Sequence, residues 1–107
     1  MLLEIDSSIE NNIGVLKLNG VLDLSTVEIF KNSLEKLPGS EQIIIDFDQI
    51  KFIDSTGIGS LAQYIKKIQI DKVGIKITNI SKDVFEVLDI LGLPEIFGEE
   101  IFEIKQD

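Results

Sequence analysis

The hydrophobic positions near the N-terminus of the sequence alternate with polar ones, which predicts strands. Residues 2–9 mix apolar and acidic positions in a roughly alternating way, and residues 13–18 are again mostly apolar. Between these two segments stands Asn11-Asn12, a pair typical of a tight turn. The pattern therefore predicts a β-hairpin.

A change to helical spacing follows the hairpin. Ser25-Thr26-Val27-Glu28 has the form of a capping box, in which the serine and glutamate side chains satisfy free amides at a helix start. Apolar residues then recur three or four positions apart up to Leu37, and Pro38-Gly39 ends the run. This predicts one amphipathic helix that packs on the sheet.

The centre of the chain predicts a buried strand and a second helix. Ile43-Ile44-Ile45 is an unbroken β-branched run, which is typical of a central strand covered on both faces. After Asp54, isoleucine and leucine side chains repeat at helical spacing through Ile68. We therefore expect a parallel strand followed by a helix that begins after Asp54.

The last third of the chain repeats the strand and helix pattern. Residues 73–77 alternate as a strand, Ser81 is placed to cap a third helix, and Gly92 ends that helix. The tail from 96 to 104 predicts a short edge strand. The order β-β-α-β-α-β-α with a final strand indicates a single α/β domain over residues 1–107, with a mostly parallel sheet and an N-terminal antiparallel hairpin.

Composition excludes several classes of chemistry. The 107 residues include no cysteine, histidine, tryptophan or arginine. Disulfides, thiolate metal sites, histidine bases and Ser-His-Asp triads are therefore impossible. With 44% hydrophobic and 27% charged residues, the chain is expected to fold as an ordinary globular domain without a metal or cofactor.

The charge balance restricts the partners. Nineteen acidic residues against ten lysines give a net charge of -9, which repels nucleic acid and anionic membranes. The N-terminus has no basic stretch ahead of an apolar run, and no apolar stretch approaches the length that spans a bilayer. We therefore expect a cytoplasmic protein that binds neither nucleic acid nor membranes.

The segment Ile53–Leu61 carries the candidate chemistry. It places two hydroxyls, Ser55 and Thr56, and two glycines where the second helix begins. Free amides and the helix dipole favour an anion at such a position, and glycines let another protein approach closely. The alternative from the same residues is that Asp54 or Ser55 is only an N-cap and that the glycines only ease packing.

Enzymatic interpretations of this segment fail on specific residues. Residues 57–62 fit the G-x-G-x-x-A form of a dinucleotide loop, but the next strand ends at Asn79 where an acid that binds ribose is required. No lysine follows the glycines as a phosphate-binding loop requires. We therefore predict that the chain is not an enzyme, and a small nucleotide-binding enzyme is the least favoured alternative.

Two further expectations concern apolar residues. Phe47, Phe52, Phe85 and Phe97 are expected to be core residues, because only seven aromatic side chains are present. The exposed face of the second helix near Ile58 is a candidate docking patch.

Four segments together resemble a known family, the STAS-domain proteins that include the bacterial anti-sigma factor antagonists. Residues 15–23 are similar to the Gly-x-Leu-Asp loop of that family, and residues 43–47 are similar to its central strand. Residues 52–59 match its Asp-Ser-Thr-Gly-Ile-Gly motif, and residues 88–93 match its closing leucine-glycine-leucine pattern. The resemblance covers nearly the whole chain and implies a STAS-like fold.

The resemblance also implies a partner-switching cycle. The unmodified protein would bind an anti-sigma factor that is a serine kinase and so release the sigma factor; the kinase would phosphorylate Ser55, and a PP2C-type phosphatase would reset it. ATP would belong to the kinase, so no cofactor is expected here. The implied partner-binding residues are Asp23, Asp54, Ser55, Thr56, Gly57, Ile58 and Gly59.

Other members of the same family leave an alternative open. STAS domains also serve as stressosome components and as subunits of ABC lipid transporters. Nothing in the sequence requires more than a monomer or a weak dimer.

Overall fold

The computed structural model describes residues 2–106, which form one five-stranded sheet with helices packed on it. The strands lie in the order β1-β2-β3-β4-β5; β1 and β2 are antiparallel, and all later pairs are parallel. The elements are β1 (Leu3–Glu10), β2 (Ile13–Leu22), α1 (Val27–Leu34), β3 (Gln42–Ile53), α2 (Ser55–Ile70), β4 (Gly74–Ile80), α3 (Lys82–Ile90), α4 (Leu93–Phe97), a 3-10 turn (Glu99–Ile101) and β5 (Phe102–Ile104). The predicted order and the mostly parallel α/β sheet are confirmed.

The predicted hairpin closes through its two asparagines. Asn11 and Asn12 have φ values of 53° and 65°. Two consecutive residues with positive φ match the twist of the flanking strands, and asparagine tolerates this conformation better than most residues. The turn sets Glu10 opposite Ile13 and fixes the register of the whole β1–β2 pair.

The central strand differs from the expectation in one respect. In β3, Ile43, Ile45 and Phe47 are buried in the single hydrophobic core, whereas Ile44 is only half-buried. Strand residues point alternately to the two faces, so only one face of this strand is fully covered. The prediction that both faces are covered was wrong: on the other face Asp46 lies between polar neighbours on β2 and β4, Lys17 and Thr78.

Of the two predicted helix caps, Ser81 is confirmed and the capping box is not, and of the two candidate caps of α2 the structure shows Asp54. The Ser81 hydroxyl accepts from the Val84 amide at 3.2 Å, and Asp54 caps α2. The capping box at the start of α1 does not form: the N-cap is Thr26, with no side-chain cap hydrogen bond. The Ser25 hydroxyl instead donates to Asp23 at 2.7 Å, because the turn before α1 is built around that carboxylate.

The C-terminal segment contains a helix that the pattern did not predict. Gly92, with φ of 81°, ends α3 as expected, but Pro94 then stands in the first turn of α4. Proline is favoured in a first helical turn, where its missing amide would have no partner. The short edge strand predicted for the tail is confirmed as β5, and no helix within residues 2–106 is long and apolar enough to cross a bilayer.

Candidate functional site

Two loops meet at the carboxyl ends of β2 and β3. These strands are parallel neighbours, and their last paired residues are Leu22 and Ile53. The chain leaves β2 into a turn at residues 23–26 and leaves β3 directly into α2. Because parallel neighbours end at the same edge of the sheet, segments about 30 residues apart in sequence come together here. We call the accessible part of this edge the Ser55 surface; it comprises residues 23–25, 52, 54–56 and 59.

The carboxylate of Asp54 connects the two segments. Its Oδ1 accepts from the Gly57 amide at 2.8 Å, which caps α2, and its Oδ2 accepts from the Leu24 amide at 3.1 Å. The Asp54 amide also donates to the Leu22 carbonyl at 3.2 Å. Capping would need only one of the two carboxylate oxygens. Asp54 therefore both starts the helix and fixes the turn beside it.

Asp23 organises the neighbouring turn. Both the amide and the hydroxyl of Ser25 donate to Asp23 Oδ1, at 3.0 and 2.7 Å. The Thr26 hydroxyl donates to the Val21 carbonyl at 2.8 Å beneath the turn. The hydrogen bond from the Ser25 hydroxyl is the main cause that holds the pKa of Asp23 below its usual value. The turn thus presents a carboxylate that stays ionised at neutral pH.

Ser55 is the accessible hydroxyl of the motif. It is exposed in the first position of α2, whereas the neighbouring Thr56 is half-buried. The amides at the first two positions of a helix have no partner within it, and the helix dipole places partial positive charge there. An oxyanion on Ser55 therefore lies where helix geometry tolerates it, and an enzyme reaches this hydroxyl more easily than that of Thr56.

Of the three residues that follow Thr56, two are buried and one is exposed. Gly57 is buried, and a Cβ atom there would overlap the carbonyl of Leu22. Ile58 is 4% exposed and belongs to the core, so it cannot supply an apolar docking patch on α2. Both residues support the Ser55 surface from beneath. Gly59 is exposed, with no atom within 4 Å of an added Cβ, so it leaves room for a partner.

Two exposed apolar side chains at this edge were missed by the sequence analysis. Leu24 is 73% exposed in the turn before α1, and Phe52 is 55% exposed near the end of β3. Phe52 is therefore not a core residue as expected. The available signal was its position beside Ile53, since neighbouring strand residues face opposite sides of a sheet. Exposed apolar groups beside Asp23 and Ser55 are typical of a protein-binding surface.

Replacing Asp54 by alanine is expected to destabilise the domain by about 2 kcal/mol, because it removes a helix cap and the bond to the Leu24 amide. Ser81→Ala is the matched control, since it removes only a cap and should cost about 1 kcal/mol. Urea unfolding followed by circular dichroism measures both values. Equal losses in the two variants would show that the second oxygen of Asp54 contributes no stability.

The site offers little to a small ligand. Within residues 2–106 no group of three or more acidic side chains is placed to hold a metal ion. The glycine pattern of residues 57–62 lies inside α2, and its first glycine packs against Leu22 and does not line a loop. What this edge presents is a hydroxyl, a carboxylate and apolar side chains on a protein surface.

Comparison with known proteins agrees with this geometry. The family model described as the STAS domain matches residues 4–107. The chain belongs to the STAS domain family. This assignment confirms the resemblance carried by the Asp23 loop, the Ser55 motif and the pattern that ends at Leu93.

The proteins that are similar to this chain have names that indicate different functions. The anti-sigma-B factor antagonist of Staphylococcus aureus is 24% identical over 98 residues, which are 90% of this chain and 91% of that protein. The phosphorylated Bacillus cell fate determinant SpoIIAA has a TM-score of 0.70 and 20% identity, over 97% of this chain and 92% of the other. A sulfate transporter family protein from Wolinella succinogenes has a TM-score of 0.79 and 17% identity. The match covers 92% of this chain and 81% of that protein. The structural matches show the fold.

Proposed function

We propose that this STAS domain is an anti-sigma factor antagonist that binds its partner through the Ser55 surface. The observation that carries the proposal is the exposed Ser55 hydroxyl in the first turn of α2, fixed beside the Asp23 turn by Asp54. The similar S. aureus protein, named as an anti-sigma-B factor antagonist, supports it. The partner is an anti-sigma factor serine kinase, and its capture releases the sigma factor.

Phosphorylation of Ser55 is the switch in this proposal. The kinase binds ATP, and the Ser55 oxygen forms a bond to the terminal phosphorus of ATP while the bond from that phosphorus to ADP breaks. ADP stays with the kinase, and the hydroxyl proton passes to a base of the kinase. A PP2C-type phosphatase restores the hydroxyl by hydrolysis. This chain supplies the Ser55 hydroxyl as phosphoryl acceptor and the Ser55 surface for binding. In this proposal it is not an enzyme and needs no cofactor. The likeness to the structure of phosphorylated SpoIIAA supports this part.

The charge near Ser55 explains how a phosphoryl group would act. It adds about -1.5 to -2 charge at neutral pH. Asp54 is the preceding residue, Asp23 stands in the adjoining turn, and the whole chain carries -9. The chain has no arginine to pair with the group in a bidentate manner. The phosphate therefore changes the surface that the partner meets and leaves the buried core unaltered.

The test is to isolate the protein from its native cells with phosphatases inhibited and to measure its intact mass and phosphopeptides. We expect one phosphoryl group at Ser55 in part of the population. Ser55→Ala should lack it, whereas Thr56→Ala should keep it, because the Thr56 hydroxyl is half-buried. If peptides that contain Ser55 are well covered and unmodified under several growth conditions, the switch is excluded.

A second candidate function is that of a subunit in a transporter or stressosome assembly. The similarity to the sulfate transporter family protein from W. succinogenes favours it, since the fold is shared. In that case an ABC transporter ATPase or stressosome proteins should copurify with the chain, and Ser55 should stay unmodified. A nucleotide-binding enzyme remains the third alternative, and calorimetry that detects no nucleotide binding by the purified chain removes it.

Location and oligomeric state form part of the proposal. A sigma factor acts on transcription, so the antagonist that we propose works in the cytoplasm. We propose a monomer or a weak dimer that meets its partner with one exposed surface.

A further inference from the structure

A second exposed apolar surface lies away from Ser55. It consists of Val87, Ile90 and Leu91 at the end of α3 and Ile96 on α4, and we call it the α3–α4 patch. Ile90 is 82% exposed and Ile96 is 68% exposed. Such side chains are costly to leave in water, and grouped apolar side chains on a soluble surface commonly mark an interaction site.

Helix geometry makes these four residues neighbours. Val87, Ile90 and Leu91 are three and four positions apart and therefore share one side of α3. The Leu91 amide donates to the Val87 carbonyl at 3.1 Å, so this spacing holds to the end of the helix. Ile96 lies next to Gly92, where an added Cβ would be 3.7 Å from Ile96 Cδ1. The patch therefore runs from the last turn of α3 onto α4.

The patch and the Ser55 surface lie at opposite ends of α2. Ser55 begins this helix, and Ile70 ends it, about 22 Å further along the axis. The side chain of Gln69, near that far end, donates to the Phe97 carbonyl of α4 at 2.9 Å. The hydrogen bond places α4 against the end of α2 that is remote from Ser55. One small partner domain bound at Ser55 would thus leave the patch open.

Carboxylates flank the patch along its own two helices. From 83 to 104 the sequence has seven acidic residues and no lysine. Asp83 and Glu86 stand four positions before Val87 and Ile90 and so share their side of α3, and Glu95 directly precedes Ile96. All three acidic side chains are exposed. The surface therefore combines an apolar centre with negative flanks.

The end of α3 supports a role for positive charge from outside the chain. Its last turn has no basic residue, although cations there would stabilise the negative end of the helix dipole. Asp89 stands in this turn instead, and its carboxylate opposes the dipole. A cationic partner would relieve this unfavourable arrangement.

We propose that the α3–α4 patch binds a basic amphipathic helix of a partner protein, with apolar residues on the patch and lysine or arginine against the carboxylates. Charge complementarity selects this occupant. A second copy would bring like-charged flanks together, and an anionic membrane would be repelled for the same reason. This binding goes beyond the proposed antagonist function and does not depend on the state of Ser55.

The test measures binding of a labelled synthetic leucine-lysine peptide of about five helical turns to the full chain by fluorescence anisotropy. The double variant Ile90→Lys with Ile96→Lys should weaken binding at least about tenfold. The matched control, Leu2→Lys with Ile9→Lys, makes the same change of charge on other exposed apolar residues and should stay within about twofold. Circular dichroism checks that both variants are folded.

Further variants and a second peptide separate the contribution of charge to binding from that of apolar contact. Glu86→Lys with Glu95→Lys should also weaken binding, and a leucine-glutamate peptide should not bind. Ser55→Glu should bind the leucine-lysine peptide as the unaltered chain does, whether or not the antagonist function holds.

Three results would overturn the proposal. The first is the absence of saturable binding up to about 1 mM peptide. The second is equal affinity of the patch variant and its control for the peptide. The third is a dimer in sedimentation experiments that is lost in the patch variant. The last result would assign the patch to a second copy of the chain.

Discussion

Replacing Gly57 by alanine is expected to lower the free energy of unfolding by about 3 kcal/mol, a large fraction of the roughly 5–15 kcal/mol of a typical domain. An alanine Cβ would overlap the Leu22 carbonyl oxygen and lie 2.9 Å from the carbonyl carbon. Both atoms belong to the backbone of β2 and cannot rotate away. Relief therefore requires α2 to move off the sheet at the point where Ser55 is presented.

The neighbouring glycine supplies the control for this substitution. Gly59 lies in the same helix, and no atom lies within 4 Å of its added Cβ. Gly59→Ala should therefore stabilise the domain by about 0.5–1 kcal/mol, because alanine is the better helix former. Urea unfolding of both variants gives the comparison. Gly57→Ala with unchanged stability would show that α2 does not pack against Leu22 as closely as described.

Phosphorylation of Ser55 is expected to weaken binding to the anti-sigma kinase by roughly 100-fold, which corresponds to about 2.7 kcal/mol. The added charge stands beside Asp54 and near Asp23, on the surface that we propose the partner covers. Ser55→Glu places a single negative charge there and should weaken binding at least about tenfold. Ser55→Ala, which adds no charge, should stay close to the unmodified protein.

A control variant separates the local charge from the overall charge. Ser8→Glu makes the same substitution at an exposed position of β1 and should leave the affinity unchanged. Titration calorimetry with the kinase captured from native cells measures the unmodified and phosphorylated proteins and the three variants, and circular dichroism checks the folding of all five. Equal affinity of the phosphorylated and unmodified forms for the kinase would remove Ser55 from the switch.

Local signals explain what the sequence predicted of the fold. The turn at Asn11-Asn12 and the caps at Asp54 and Ser81 depend on residues a few positions apart, and each occurs as expected. The parallel order followed from helices placed between strands. These features depend on residues close together in the sequence, so they can be predicted without knowledge of the tertiary contacts.

The error at the start of α1 arose because two nearby contacts compete with the capping box. Ser25 and Glu28 match a capping box, but the Ser25 hydroxyl donates to Asp23 in the turn. The Thr26 hydroxyl in turn donates to the Val21 carbonyl at the end of β2. The local spacing between serine and glutamate carries no information on these competing partners.

The candidate site shows the same limit. Sequence spacing identified Ser55 as a hydroxyl at a helix start, and the structure places it there, exposed. The same spacing could not indicate that Ile58 turns into the core, whereas the position of Phe52 beside Ile53 was an available signal of its exposure. Burial depends on which side of a strand or helix meets the remaining elements, and that is decided by the whole packing arrangement.

The two hydrogen bonds of the Asp54 carboxylate also affect when Ser55 can become a kinase substrate. One of them reaches Leu24, 30 residues earlier, and requires the ends of β2 and β3 to lie side by side. An incompletely folded chain would carry the same Ser55 sequence without the adjoining Asp23 turn. A kinase that requires both segments would therefore phosphorylate folded molecules and not nascent or damaged ones. A phosphate on Ser55 would then also mark a chain that had folded.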